Sequence, residues 1–118
     1  MPMSKKSFTE VTWREDPWFQ GLCDAIRACR TRTDIADFLR DIGTLSELQA
    51  WSERYEVARL LKAGMTYRAV ASKTGASTTT VSRVASFLQN GEGGYRRALQ
   101  NHHAHASTPR GERMASRA

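Results

Sequence analysis

The chain has 118 residues, of which 40% are hydrophobic and 25% charged, so its composition is that of one soluble globular domain. No apolar run approaches the roughly 18 residues needed to span a bilayer. No apolar segment follows the first lysines, which argues against a secretory signal. We therefore expect a cytoplasmic protein with no membrane partner.

The net charge of +6 is distributed unevenly along the chain. Residues 62–118 carry nine lysines and arginines against two acidic residues, whereas residues 1–61 have a net charge of −1. One-sided basic charge of this kind indicates a polyanionic partner. A solvated basic tail is the alternative, because Arg110, Arg113 and Arg117 supply three of the nine charges.

Helical periodicity dominates the first forty residues, and no stretch of the chain alternates in the manner of a strand. Asp16 followed by Pro17 is typical of a helix start, because aspartate caps free amides and proline fits the first helical position. A second helix is predicted over Thr33–Gly43, where the glycine ends it. Apolar residues recur three or four apart in both helices, at Trp18, Leu22, Ile26, Ile35, Phe38, Leu39 and Ile42.

The two cysteines lie in this region. Cys23 and Cys29 are six residues apart, so they do not share a helix face. Their spacing matches no metal-ligand motif. The prediction is two buried free thiols, with no metal and no cofactor.

A third, longer helix is predicted to begin at Thr44 and Glu47, whose spacing is that of a capping box. Its apolar residues recur every three or four positions until Gly64. The same stretch is long enough to be two helices that bend near Ser52, and the sequence leaves that choice open.

Residues 66–73 and 77–88 are predicted as two short helices, each capped by a hydroxyl residue and joined by a turn at Gly75. Three glycines follow, and then a last short helix is predicted over Tyr95–Gln100. The domain limits are a mobile segment over residues 1–12, a helical domain over 13–100 and a disordered basic tail over 101–118.

Residues 66–88 have the pattern of a helix-turn-helix. The segment VASKTGASTTTVSRV, residues 70–84, contains the three features that this motif needs. These are a small residue where the helices cross, a turn residue that tolerates positive φ, and apolar residues that hold the second helix against the first. Ala71, Gly75 and the pair Val81 and Val84 are predicted to fill these roles.

The outer face of the second helix predicts DNA binding. It carries short hydroxyl side chains and Arg83, with no acidic and no large apolar residue. Short hydroxyls let a helix approach the floor of the major groove, while Arg83 can reach a guanine edge or a phosphate. The predicted DNA-binding residues are Arg68, Lys73, Ser77, Thr78, Thr79, Thr80, Ser82 and Arg83.

From about Trp13 to Tyr95 the sequence resembles the Trp repressor superfamily, and in particular its YerC/YecD branch. The resemblance is carried by IGTLSEL at residues 42–48, WSERYEVARLLKAGMTYRAVA at 51–71, GASTTTVSRV at 75–84 and GEGGY at 91–95. It implies an all-α fold of five to six helices in an intertwined homodimer. Two helix-turn-helix units would then read half-sites about one DNA turn apart.

The resemblance also implies an effector pocket. In Trp repressors two arginines hold the indole of the corepressor, and the matching positions here are Arg54 and Arg83, with Thr44 matching another lining residue. Val84 and Phe87 depart from the family pattern, because they replace a glycine and a serine. Both add bulk where the ligand lies, so tryptophan is not expected to be the effector. Arg54 has the alternative of pairing with a glutamate on its own helix.

These observations predict sequence-specific binding of double-stranded DNA by a transcription regulator, most simply a repressor. No pattern of nucleophile and base, paired carboxylates or phosphate-binding loop indicates an enzyme. His102, His103 and His105 have no fourth ligand, so only adventitious metal affinity is expected of them. Two alternatives stay open, the DNA-targeting module of a transposase or recombinase and a protein-interaction module without DNA contact.

Overall fold

The computed structural model describes the backbone of residues 6–106 and the side chains of residues 6–101. This part of the chain has six α-helices, one turn of 3-10 helix and no strand, so the predicted all-α class is confirmed. The helices are α1 (Pro17–Ala28), α2 (Arg32–Ile42), α3 (Leu45–Lys62), α4 (Tyr67–Thr74), α5 (Thr78–Asn90) and α6 (Gly94–Ala106). Within the described residues, no helix combines the length and apolar character that crossing a membrane requires.

The first of two compact units comprises Met1–Leu48, and its first helix begins as predicted. The Asp16 carboxylate accepts a hydrogen bond from the Trp18 amide at 2.8 Å, and Pro17 occupies the first helical position. The Lys6 ammonium lies 2.8 Å from the same carboxylate and 4.5 Å from the centre of the Trp18 ring. Its hydrogen bond lowers the pKa of Asp16. Within the segment predicted to be mobile, residue 6 is therefore bonded to the start of α1.

The start of α2 differs from the prediction. α2 begins at Arg32 rather than Thr33, because the Thr31 hydroxyl accepts a hydrogen bond from the Asp34 amide at 3.0 Å. Of the two neighbouring threonines, Thr31 is the cap, and Thr33 lies inside the helix. The predicted end at Gly43 is confirmed.

α3 is one continuous helix from Leu45 to Lys62, so the alternative of two helices bent near Ser52 is wrong. The capping box at its start is confirmed. The Glu47 carboxylate accepts a hydrogen bond from the Thr44 amide at 2.8 Å, and the Thr44 hydroxyl accepts one from the Glu47 amide at 3.0 Å. Two otherwise unpaired amides are thereby satisfied at the helix start.

The described side chains of the first unit are all at least partly exposed in the single chain. Trp18, the first apolar residue of α1, is 69% exposed, and Ile42 at the end of α2 is 51% exposed. The predicted burial of both thiols is wrong, because Cys23 is exposed and Cys29 is only partly buried. Cys29 lies on the apolar stripe of α1 with Trp18 and Ile26, whereas Cys23 lies on another face of the helix.

The second unit, Gln49–Ala118, contains the buried core. Burying a large apolar side chain contributes roughly 1.5–3 kcal/mol, and several helices of this unit supply such side chains. These contacts hold α4 and α5 against α3, and Leu99 adds α6 to the same cluster. The largest fully buried side chains are the four valines Val57, Val70, Val81 and Val84.

The last two helices are longer than predicted. α5 ends at Asn90 rather than about Leu88, and α6 continues to Ala106 rather than ending at Gln100. Glycine and proline are absent between Tyr95 and Ala106, and alanine favours helix, so nothing stops α6 earlier. Residues 101–106 of the predicted disordered tail are thus helical. The side chains of His102, His103 and His105, and all of Arg110, Arg113 and Arg117, lie outside the described residues.

Substitution of Gly75 measures what the left-handed backbone of the turn costs a residue with a side chain. Its φ is +80°, and a Cβ added there would have no neighbour within 4 Å. Left-handed strain is then the whole cost of Gly75→Ala, which we expect to lower the free energy of unfolding by about 1–2 kcal/mol.

Gly94→Ala is the matched control for this substitution. A Cβ at Gly94 also meets open space, but the φ of Gly94 lies outside the positive range. We expect a change below about 0.5 kcal/mol in urea denaturation at one fixed protein concentration. Equal losses in the two variants would contradict the assignment of strain to Gly75.

Candidate nucleic-acid interface

Two hydroxyl caps and one glycine set the geometry of the helix-turn-helix. At the start of α4 the Thr66 hydroxyl accepts a hydrogen bond from the Ala69 amide at 3.1 Å. α4 ends at Gly75, which is left-handed and whose amide donates to the Ala71 carbonyl at 2.9 Å. Ser77 caps α5 two residues later. The predicted caps and turn are confirmed.

The turn also contains a threonine to which the sequence reasoning gave no role. The Thr74 hydroxyl donates to the Val70 carbonyl at 2.8 Å and accepts from the Ala76 amide at 3.1 Å. One side chain thus connects the last turn of α4 to the chain just after Gly75, where Ala76 enters the core. The sequence feature that indicates this role is the hydroxyl residue directly before the turn glycine, because such residues often bond to the nearby backbone.

Ser77 and Thr80 use their hydroxyls within α5. The Ser77 hydroxyl accepts a hydrogen bond from the Thr80 amide at 3.0 Å and donates one to the Thr80 hydroxyl at 3.1 Å. Thr80 is also only partly exposed. Of the eight predicted DNA-binding residues, these two therefore use their hydroxyls to start α5.

The other predicted residues of α5 form its exposed outer face, which we define as Thr78, Thr79, Ser82 and Arg83. At 100° per residue they fall within an arc of roughly 140°. The opposite side of the helix carries the buried Val81, Val84 and Ala85. Ser86 is exposed and lies in the same arc as the outer face, although the sequence reasoning did not include it.

The charge around this face is positive. From Val57 to Gly91 the sequence contains five lysines and arginines and no aspartate or glutamate. Arg68 and Lys73, the predicted backbone contacts, are exposed at opposite ends of α4. Just before this stretch, Glu56 accepts two hydrogen bonds from Arg59, at 2.9 and 2.6 Å, and this pairing lowers the pKa of Glu56.

A groove of 630 Å³ lies among α3, α5 and the start of α6, wholly within the second unit. Arg54 and Arg83, the predicted pair, both line it. Thr44 is not among its lining residues, and its hydroxyl caps α3 instead. The use of this groove as an effector pocket stays a prediction. Besides the two arginines, the lining consists of Val84, Phe87, Gly91, Glu92, Gly94, Tyr95 and Ala98.

The groove combines two cations with apolar walls. Val84 is 1% exposed and so belongs to the floor, whereas Phe87 is 60% exposed and stands at the rim. Burial raises the pKa of the Tyr95 phenol, while the positive charge of Arg54 acts in the opposite direction. Glu92 also lines the groove, so charged groups of both signs lie beside its apolar walls.

Comparison with known proteins agrees with this geometry. The model of the family described as Trp repressor protein matches residues 18–103. YerC from Bacillus subtilis (strain 168), a protein described as uncharacterized, is 38% identical over 78 residues. The matched segment covers 66% of this chain and 75% of YerC.

Two solved structures are similar to this fold. A TrpR-like protein from Eubacterium eligens has a TM-score of 0.71 and 37% identity, and the match covers 74% of this chain and 90% of that one. A candidate Trp repressor from Staphylococcus aureus has a TM-score of 0.75 and 33% identity, over 80% of this chain and 95% of that one.

A helix-turn-helix with a polar, cationic outer face is the arrangement found in DNA-binding regulators. The chain belongs to the Trp repressor family, since the family model covers most of the helical region. The predicted resemblance to the YerC branch is confirmed as well.

Removing the Arg54 charge is expected to raise the pKa of Tyr95. Arg54 lines the groove beside Tyr95, and its positive charge favours the phenolate. In Arg54→Gln the effect of burial would be unopposed, so the phenol would lose its proton at higher pH.

Arg59→Gln is the matched control, because it removes the same charge from the same helix. The charge of Arg59 interacts with Tyr55 rather than with Tyr95. A pH titration followed by carbon NMR of the tyrosine rings resolves the individual phenols. An unchanged pKa of Tyr95 in Arg54→Gln, or an equal rise in Arg59→Gln, would contradict the role given to Arg54.

Proposed function

We propose that the chain binds specific sites in double-stranded DNA as a homodimer and regulates transcription as a repressor. The observation that carries the proposal is the outer face of α5. This face is exposed and polar, while Val81 and Val84 on the opposite side are 0% and 1% exposed. A helix anchored in this way presents one fixed face to its target.

The chemistry of the outer face suits the major groove. Thr78, Thr79 and Ser82 are short, so α5 can lie close to base edges, where their hydroxyls bond and threonine methyls meet thymine methyls. Arg83 is long enough to reach a guanine edge or a phosphate. The start of α5 is also the positive end of its helix dipole, which favours a nearby phosphate.

Electrostatics supports the same partner. The 35 residues from Val57 to Gly91 have five positive charges and no negative one. Arg68 and Lys73 on α4 are placed to hold the DNA backbone while α5 reads the bases. A protein-interaction module has no comparable need for a cationic, hydroxyl-rich face without acidic groups.

The proposed homodimer would cover apolar surface that one chain leaves exposed. Along α1 and α2, Trp18, Ile26, Ile35 and Ile42 are between 40% and 69% exposed. On each helix these side chains share one face, and an exposed apolar helix face marks an interaction site. We propose that a second copy of the chain covers this surface. Each chain carries one helix-turn-helix, and paired half-sites in DNA need two.

Repression is the simplest consequence of such docking, since a protein seated on an operator excludes other proteins from it. The family is one of regulators, which supports this role over the targeting module of a transposase or recombinase. Transcription is then the process controlled, and the cytoplasm is the compartment proposed.

We infer that tryptophan is not the effector. Val84 and Phe87 line the groove that also contains Arg54 and Arg83. The resemblance to Trp repressors implies a glycine and a serine at these two positions, so both residues add bulk to the groove. No cofactor or metal enters the proposal.

Arg83→Ala and Thr79→Ala are expected to weaken binding to a selected operator by roughly 1–3 kcal/mol each. The control is Arg59→Ala, which removes one positive charge that is already paired with Glu56. We expect it to change affinity less than about threefold. Gel-shift titrations at several salt concentrations measure all three variants, and wild-type affinity should fall steeply with salt. Salt-independent binding, or no binding to any genomic fragment, would refute the proposal.

The protein is expected to sediment at micromolar concentration with twice the chain mass of 13.3 kDa. Ile26→Glu places a charge on the apolar stripe of α1 and should shift the population toward monomer. Val11→Glu is the control, because Val11 is 88% exposed and lies outside the helices. A wild-type monomer, or equal dissociation in the two variants, would overturn the proposed dimer.

A further inference from the structure

The turn between α5 and α6 is held by an arginine bonded to the backbone of α5. The last four carbonyls of a helix have no partner inside it. In α5, whose last residue is Asn90, one of these belongs to Leu88, and Arg96 donates to it from Nη1 at 2.6 Å. A guanidinium on a helix C-terminus is favoured by the helix dipole and makes a charge-assisted bond.

The chain around this bond has little freedom to rearrange. The Gly91 amide donates to the Phe87 carbonyl at 3.0 Å, and a Cβ at Gly91 would lie 2.5 Å from the same carbonyl oxygen. Gly93 has a φ of +86°. Arg97 donates to the Glu92 carbonyl at 3.2 Å, so its bond is made to the turn and not to α5.

Other anchors of α5 lie nearer its start. Ser77 caps the first turn, and Val81, Val84 and Ala85 are buried. After Ala85 the side chains of Ser86, Phe87, Gln89 and Asn90 are exposed, and Leu88 is only partly buried. The bond from Arg96 is therefore a polar contact that ties the last turn of α5 to α6.

We propose that Arg96 is a positioning residue for the recognition helix, and this rests on the proposed function. The buried valines fix the rotation of α5 about its own axis. By fixing the Leu88 carbonyl, Arg96 sets the tilt of that axis, and with it the placement of Arg83, which lies earlier on the same helix. Arg96 acts through α5 and need not touch DNA itself. A direct contact between Arg96 and a phosphate is the competing explanation.

The two explanations differ in what Arg96→Gln does to DNA binding. Loss of positioning lowers affinity for the selected operator about tenfold, leaves affinity for random DNA nearly unchanged and keeps the salt dependence. Loss of a phosphate contact lowers both affinities together and reduces the salt slope by about one. Arg96→Lys keeps a charged donor and should restore much of the difference between operator and random DNA.

Hydrogen exchange without DNA tests the same bond independently of function. In Arg96→Gln the amides of Asn90 and Gly91 should exchange about tenfold faster, at a temperature far below unfolding. Arg97→Gln is the matched control, because it loses the same charge beside Arg96 but has no bond to α5. We expect exchange at Asn90 and Gly91 to be unchanged in this control.

Faster exchange in Arg96→Gln alone, together with a lower preference for the operator, would support the proposal. Unchanged exchange, or an equal loss on operator and random DNA with a smaller salt slope, would overturn it. If the wild type binds no DNA, the proposed function fails. The exchange rates then decide by themselves whether Arg96 holds the end of α5.

Discussion

Burial of Val81 and Val84 against the core of the second unit is the interaction on which the helix-turn-helix depends. Both side chains join Val57 of α3 and Val70 of α4 in the set of fully buried large side chains. Since the two α5 valines are three residues apart, their burial fixes the rotation of the helix about its own axis. The polar residues on the other side are then held outward, so a core contact decides which side chains face a partner.

The turn before α5 works with this core contact. Gly75 supplies the left-handed residue, Thr74 bonds across it, and Ser77 caps the next helix. Each bond satisfies a backbone group that a sharp change of direction would otherwise leave unpaired. These local bonds set how the chain turns from α4 into α5, and the buried valines hold α5 against the core.

Elements governed by local chemistry were predictable from the sequence. The caps at Asp16, Thr66 and Ser77, the capping box before α3 and the turn at Gly75 follow from side chains within four residues of the backbone they bond. The helical class followed from apolar periodicity, whereas the family was predicted from the resemblance of longer segments such as GASTTTVSRV. The arc that faces away from the core followed from the spacing of the valines.

Features that depend on surroundings were not predictable in the same way. The exposure of Cys23 depends on what packs against its own face of α1, which periodicity alone does not state. The apolar pattern left open whether α3 continues through Ser52, and the structure shows that it does. The composition after Gln100 predicted disorder, whereas α6 continues to Ala106. The bond from Arg96 joins residues of two helices across the turn that contains Gly91 and Gly93, so no local pattern indicates it.

Selection of genomic DNA fragments with the purified full-length protein tests the central claim most directly, because it reveals site, symmetry and spacing together. Recognition by paired helices predicts an inverted repeat whose half-site centres lie roughly 34 Å, or one helical turn, apart. Base preference at one position of each half-site should disappear with Arg83→Ala. Enrichment of no fragment, or of sites without any repeat and unaffected by Arg83→Ala, would contradict recognition by the outer face of α5.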